Sequence, residues 1–304
     1  MADRKISRRK FMQGAAASML MGPAVCQAGE VKSFRVKKFE PFSFVVMADP
    51  QLFMGGEVHD TNKLIEAVSH LNQLLPPFVI ICGDLTNSAY NTTAVIHETD
   101  VFFDKFSQMN SLIKRYDVAG NHDVGNIPTY ESIAWYEQRF APIWYSFVYR
   151  NNLFIIVESD LFKDPSGVPA LANKQMLWLE DELRKSARAK FCNVMLFMHQ
   201  PLCLYNVNEA EQYFNIGIAK RQEILALCHQ YNVKAVFNGH YHLSAYVNDN
   251  GLEIVTSNAS SYTFNTDGTD PVGLRLVDVY EDHIVHTFYG YDTMPTSLTF
   301  PVYT

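Results

Sequence analysis

Cysteine is scarce in this chain and unpatterned. Cys82, Cys192, Cys203 and Cys228 stand singly at apolar positions, without the paired spacing of a zinc or redox motif. That excludes a closed cysteine–zinc site and thiol redox chemistry as the basis of function, and predicts buried free thiols. Positive charge is also short. The formal net charge of −7 argues against a nucleic-acid or anionic-membrane binder. The longest apolar stretch, Phe11 to Val25, is brief for a membrane span. There is no repeat, no low-complexity segment and no conventional Ser or Cys nucleophile motif. What is present is 48% hydrophobic and 13% aromatic residues in 304, enough for a large core or two small ones.

The head of the chain reads differently from the rest. Residues 1–28 carry a basic start, a weakly apolar middle and a small-residue cleavage site after Ala28. Ser7-Arg8-Arg9-Lys10-Phe11-Met12 resembles the twin-arginine export signal of bacteria, which predicts a periplasmic or secreted protein with no stable membrane insertion once the signal is removed. Removal takes away five Lys/Arg and one acid, a net +4, and leaves −11.

From about residue 40 to 304 strands alternate with helices, and no linker interrupts them, which predicts one α/β domain. Strands are expected at Phe42–Ala48, Phe78–Cys82, near Ala119, at Trp144–Tyr149, Leu153–Glu158, Asn193–Met198 and Val233–Phe237. Helices are expected at Thr61–Leu75, Val95–Ile113, Tyr130–Phe140, Lys174–Ala189 and, for most of its length, Glu209–Tyr231. After Leu243 only strands follow, with Asn250-Gly251 as a type I′ hairpin turn, then Leu274–Tyr280 and Ile284–Tyr289. Parallel strands with helical crossovers place ligands beyond the strands' carboxyl ends.

Those ends share an unusual chemistry. Asp49 and Gln51 follow "FSFVVMA", Asp84 follows "FVIICG", Asn121 and His122 follow "YDVAG", His199 follows "NVMLFM", and His240 and His242 follow "KAVFNG". A lone Asp there is often a helix cap, and a lone His a satisfied structural residue, as expected for His59, His70, His97, His229, His283 and His286. Recurrence at one topological position needs another cause. Unpaired carboxylates and imidazoles gathered in a sheet crevice require a counter-charge, which metal ions supply. The donors suffice for two divalent ions: Asp49, Gln51, Asp84 and His242 around one, Asp84, Asn121, His199 and His240 around the other, with Asp84 bridging. Paired ions are a clamp for in-line displacement at phosphorus.

The set "DPQ", "GD" (83–84), "GNHD" (120–123), His199 and "GHYH" (239–242) resembles the calcineurin-like metallophosphoesterases. The resemblance spans nearly all of the chain after the head and implies a central β-sandwich flanked by helices. It implies a hydroxide between the ions as nucleophile, with His122 protonating the leaving oxygen or steadying the transition state, and Asp123 either orienting His122 or capping the turn. Two departures stand out. The first motif usually ends in His, and here Gln51 favours Mn, Mg or Fe over Zn. Asn87-Ser88 also replace the Asp-Arg pair of the protein phosphatases in this family, and the Tyr ligand of the purple acid phosphatases is absent at Asn87.

The expected activity is therefore a phosphomonoesterase similar to the serine/threonine phosphoprotein phosphatases. A manganese-dependent nucleotide-type diphosphatase or phosphodiesterase is the alternative, since Asp-x-Gln occurs in such diphosphatases. A catalytically silent binding module fits less well with an intact ligand set. The partner is a phosphorylated small molecule or phosphoprotein, not nucleic acid. Tyr205, Tyr213 and Asn215, with Asn121 and the segment "SSYTFNTDG" (260–268), are the residues expected to contact it.

Overall fold

The computed structural model describes residues 39–303, so the twin-arginine segment 1–28 lies outside the described residues. The strands are β1 (Phe42–Met47), β2 (Phe78–Cys82), β3 (Lys114–Val118), β4 (Tyr145–Tyr149), β5 (Asn152–Ile156), β6 (Val194–Phe197), β7 (Ala235–Asn238), β8 (Ala245–Asp249), β9 (Leu252–Thr256), β10 (Gly273–Val279) and β11 (Ile284–Gly290). The helices are α1 (Glu57–Leu74), α2 (Thr93–Phe106), α3 (Asn121–Val124), α4 (Tyr130–Glu137), α5 (Asp160–Lys163), α6 (Pro169–Ala189) and α7 (Ile218–Gln230). One sheet runs β11-β10-β1-β2-β3 and the other β4-β5-β6-β7-β9-β8. Each has a parallel heart, β1-β2-β3 and β5-β6-β7-β9, with antiparallel strands at the margins.

The apolar strand runs are continuous because both faces are covered. In β1, Phe42, Phe44 and Val46 face the opposite sheet, while Val45 and Met47 face the helices. In β6, Met195 and Phe197 meet them across the sandwich, and Val194 and Leu196 turn outward to the other helical layer. The seam between the sheets is aromatic: Phe44 lies 5.0 Å from Phe78 in its own sheet and 5.5 Å from Phe154 in the other. Such edge-to-face and offset pairs add to the burial of large apolar surfaces. This is the expected sandwich flanked by helices.

Some expectations need correcting. Helix α7 starts only at Ile218. Residues 209–217 form a loop because the buried Arg221 guanidinium donates to the carbonyls of Ile216, Val207 and Glu209, which a helix would use internally. Helix α2 ends at Phe106, where the Asn72 side chain takes over the backbone of Gln108 and Asn110. The hairpin turn is as expected, with Asn250 and Gly251 both at positive φ. Cys82, Cys192, Cys203 and Cys228 are all free thiols. No helix among the described residues is long and apolar enough to cross a membrane.

Candidate metal centre

The parallel strands of both sheets point their carboxyl ends to the same edge of the sandwich, and the loops that follow are stitched together there. Asp49 N–H donates to the Gly83 carbonyl, Gln51 N–H to Asp84, and Gly239 N–H to His199. Asp49, Gln51, Asp84, His240 and His242 all lie at positive φ, a costly conformation for residues other than glycine. Backbone strain thus gathers where the polar side chains converge.

The glycines before Asp84, Asn121 and His240 have a clearer purpose than turn-making. Gly83 does need its positive φ of 82°. Gly120 does not, at φ −118°. A Cβ on Gly120 would lie 2.3 Å from the Asp84 carboxylate, and one on Gly239 2.3 Å from Asp49 Oδ2. The missing side chains let main chain and carboxylate approach. His122 N–H donates to Asp84 Oδ1 at 2.9 Å, and His240 N–H donates to both Asp49 oxygens at 3.0 and 2.9 Å.

Asp49, Gln51, Asp84, Asn121, His199, His240 and His242 are all buried. Asp84, His199 and His240 each offer one ligand atom within 4.8 Å of the others. Asn121 Oδ1 lies 3.1 Å from His199 Nε2, and its Nδ2 donates to the Tyr213 hydroxyl. Asp49 sits beside this group, 3.5 Å from His242 Nε2. The charged partners of the two carboxylates within 4 Å are imidazoles; no Lys or Arg among the described residues pairs with either.

The imidazoles are oriented by carbonyls. His199 Nδ1–H donates to Cys82 O at 2.8 Å and His242 Nδ1–H to Tyr262 O at 2.5 Å, since a carbonyl can only accept. Each Nε2 is left facing carboxylate or carboxamide oxygen. Burial disfavours the charged form of His199, but Asp84 and Asp49 outweigh it and push its pKa up to about 10. Burial likewise works against the Asp84 carboxylate, and His199, His122 and His240 hold its pKa below the usual range. Burial and the neighbouring His199 pull His240 down to about 3. Gln51 donates through Nε2 to Asn87 Oδ1 at 3.3 Å, which turns its Oε1 the other way, buried and without a hydrogen-bond partner. Oxygen and imidazole donors facing one another, with an orphaned amide oxygen among them, fit divalent cations whose ligands are fixed by an outer shell of carbonyls.

His122 is half-buried beside a cleft of about 390 Å³ lined by Asn87, Tyr90, Asn91, Asn121 and Asn126. Its Nδ1 lies 2.6 Å from the Asn87 carbonyl, so that nitrogen carries the proton and Nε2 is the free one. Asp123 does not orient it. Its carboxylate accepts the N–H groups of Gly120 and Leu85, within its own turn and the neighbouring loop, and burial with Asp84 nearby raises its pKa to about 8. Asn215 is likewise misplaced as a substrate contact: it is fully buried and spends its amide on Glu209, Ala210 and Gln212. Tyr213 does reach the site, its ring 5.1 Å from that of His240, whereas Tyr205 is exposed and bonds Tyr241. The six bland histidines are structural pairs or stacks away from the site, the part-buried His286 with Glu253 and His70 on Tyr291 among them. Sequence reasoning missed Glu98, a buried acid on α2 that grips the loop carrying Asn87.

Comparison with known proteins returns the same chemistry. The family model described as calcineurin-like phosphoesterase matches residues 42–244. The serine/threonine-protein phosphatase CPPED1 of Bos taurus is 32% identical over 270 residues, covering 84% of this chain and 85% of its own. That of Danio rerio is 31% identical over 84% of this chain and 86% of its own. A solved dimetal phosphatase from Danio rerio shares the fold with a TM-score of 0.62 at 15% identity, over 82% of this chain and 96% of that one.

Proposed function

The chain belongs to the calcineurin-like phosphoesterase family, and from that premise we propose a phosphomonoesterase that acts on phosphoserine or phosphothreonine in proteins, with Mn, Mg or Fe in preference to Zn. The observation that carries the reading is the convergence of Asp49, Asp84, His199, His240 and His242 on one buried point with His122 at its open side. Asp49, Gln51, Asp84 and His242 would hold one ion, and Asp84, Asn121, His199 and His240 the other. Two such ions supply countercharge to phosphoryl oxygens and acidify bound water. The identity of the CPPED1 relatives supports the phosphoprotein substrate.

His122 has the geometry of the acid that finishes the reaction. Its Nδ1–H is committed to the Asn87 carbonyl, so acid assistance needs the imidazolium form, in which a second proton on Nε2 passes to the leaving oxygen in the cleft while Nδ1–H stays in place. Apart from His122 the cleft is lined by uncharged residues, four of them Asn, and no Lys or Arg among the described residues lines it. His122→Ala should lower kcat by on the order of 10²–10⁴ with metal content unchanged. Metal-loaded protein should hydrolyse phosphopeptides and p-nitrophenyl phosphate ahead of its bis ester and ADP-ribose. The reverse order would move the protein to the diphosphatases or phosphodiesterases.

Export through the twin-arginine route is the matching proposal for location, resting on Arg8-Arg9 ahead of a weakly apolar stretch. Replacing both with Lys should leave a precursor in the cytoplasm, and unchanged delivery would refute it.

A further inference from the structure

His122 is held from the main chain of the loop that follows Asp84. The Asn87 carbonyl lies 2.6 Å from His122 Nδ1. A main-chain carbonyl holds a ring only as well as the chain itself is held, and residues 87 and 88 lie in the loop between β2 and α2. The main-chain N–H groups of both residues are held by one acid. Glu98 is 2% exposed, and its Oε2 accepts the N–H of Asn87 at 2.9 Å and that of Ser88 at 2.8 Å. Its Oε1 accepts the Ser88 hydroxyl. An acid buried to this degree without a Lys or Arg partner is costly unless hydrogen bonds satisfy it, and here three donors do so.

We infer that Glu98 is a positioning residue for His122, acting through the main chain of Asn87 and Ser88. Its hydrogen bonds go to Asn87 and Ser88 and not to a candidate ligand, and it does not itself line the cleft. Its bonds set where the Asn87 carbonyl sits, and that carbonyl fixes both the plane of the His122 ring and the nitrogen that keeps its proton. A displacement of about 1 Å at a reacting group is enough to cost on the order of 10²-fold in rate. The role rests on the assignment of His122 as the group that assists the leaving oxygen.

The test is a double-mutant cycle in the full-length metal-loaded protein, assayed with p-nitrophenyl phosphate, with metal content measured beside it. Glu98→Ala should lower kcat by roughly 10- to 100-fold while KM and metal stoichiometry hold. Glu98→Gln keeps an oxygen for the two N–H groups and should stay within about threefold of the parent. On a His122→Ala background, Glu98→Ala should cost less than about twofold more, because the group it positions is gone. Side-chain nitrogen NMR should show His122 as the Nδ1–H form in the parent and as a mixture of tautomers in Glu98→Ala. Should the alanine variant fail to fold, Glu98→Asp retains the buried charge but is one methylene too short, and should show the same kcat loss. Full activity in Glu98→Ala or Glu98→Asp, or a loss that adds in full to that of His122→Ala, overturns the inference. Full activity in His122→Ala alone would instead overturn the assignment on which it rests.

Discussion

The sheet built on β1, β2 and β3 gives the candidate ligand set only oxygen donors, Asp49, Gln51, Asp84 and Asn121, whereas the sheet built on β6 and β7 gives only imidazoles, His199, His240 and His242. Neither half is a site. The oxygen half alone brings two buried carboxylates together, and the imidazole half alone contributes no carboxylate to the ligand set. The aromatic seam, which packs Phe44 against Phe154 and Phe197, and the hydrogen bonds of His240 N–H to Asp49 and His199 Nδ1–H to Cys82 O bring them within reach. Metal binding and the correct stacking of two sheets are thus one requirement, met at a shared edge.

Asp84 joins the halves, accepting the His122 N–H from its own sheet and lying 3.2 Å from His199 Nε2 of the other. Asp84→Asn should therefore give the largest effect, taking metal content below two per chain and activity to the limit of detection. Plasma emission counts on the purified variant decide it, and full occupancy would end the bridging role. Gly239→Ala attacks the same junction without touching a donor atom. Its methyl would sit 2.3 Å from Asp49 Oδ2 and 2.8 Å from the Cys82 carbonyl, and Asp49 cannot swing away without giving up the His240 N–H. That variant should fold, with a native circular dichroism spectrum, and bind metal more weakly than the parent. Metal affinity equal to the parent's would show that the close approach is incidental.

The comparison also tells how much could be read beforehand. The period-2 alternation that sends Phe42 and Phe44 one way and Val45 and Met47 the other is local, and so is the polar residue that ends each strand. Strand ends and donor types were therefore legible. The partners of those donors were not, because they are set by distant main chain: Cys82 O for His199, Tyr262 O for His242 and Asn87 O for His122. Any residue has a carbonyl, so no sequence signal marks these. Glu98 was hidden for a related reason. On α2 it reads as one more acid on a polar face, and only the return of the 87–88 loop buries it. Asn215 failed in the opposite direction, an amide beside two aromatics that serves its own loop.

Electrostatics gives a third way to separate the halves. In metal-free protein, His199 is raised from its ordinary 6.5 to about 10, burial opposing and the carboxylates of the other sheet prevailing. Its contribution to stability is complete below about pH 6.5 and is lost as the pH climbs through about 10. Asp84 is shifted the other way, so its share is present above its ordinary 3.8 and fades as the pH falls through its lower folded value. At neutral pH the halves are thus held together by a proton where a metal would sit. Binding should release about one proton near pH 8, and apparent affinity should rise with pH up to about 10. Calorimetry in buffers of different ionisation enthalpy counts the proton; none released would mean that His199 is already neutral.

The smallest effect is expected at Gln51, the one place where the oxygen half departs from its family's pattern. Its amide oxygen is buried and unpartnered, and its amide nitrogen is held by Asn87 Oδ1 at 3.3 Å. A neutral carboxamide adds no charge to the site, so Gln51→Ala should raise the metal concentration for half-maximal activity while sparing much of the activity at saturation. Gln51→His should tighten the site and move its preference toward Zn or Fe. Asn87→Ala removes only the contact that aims the amide and keeps the carbonyl that His122 uses. It should therefore shift the metal requirement by about 10-fold or less and leave kcat at saturating metal close to the parent's. A large fall in kcat with no shift in metal requirement would mean that the Asn87 side chain serves the cleft and His122, not the amide of Gln51.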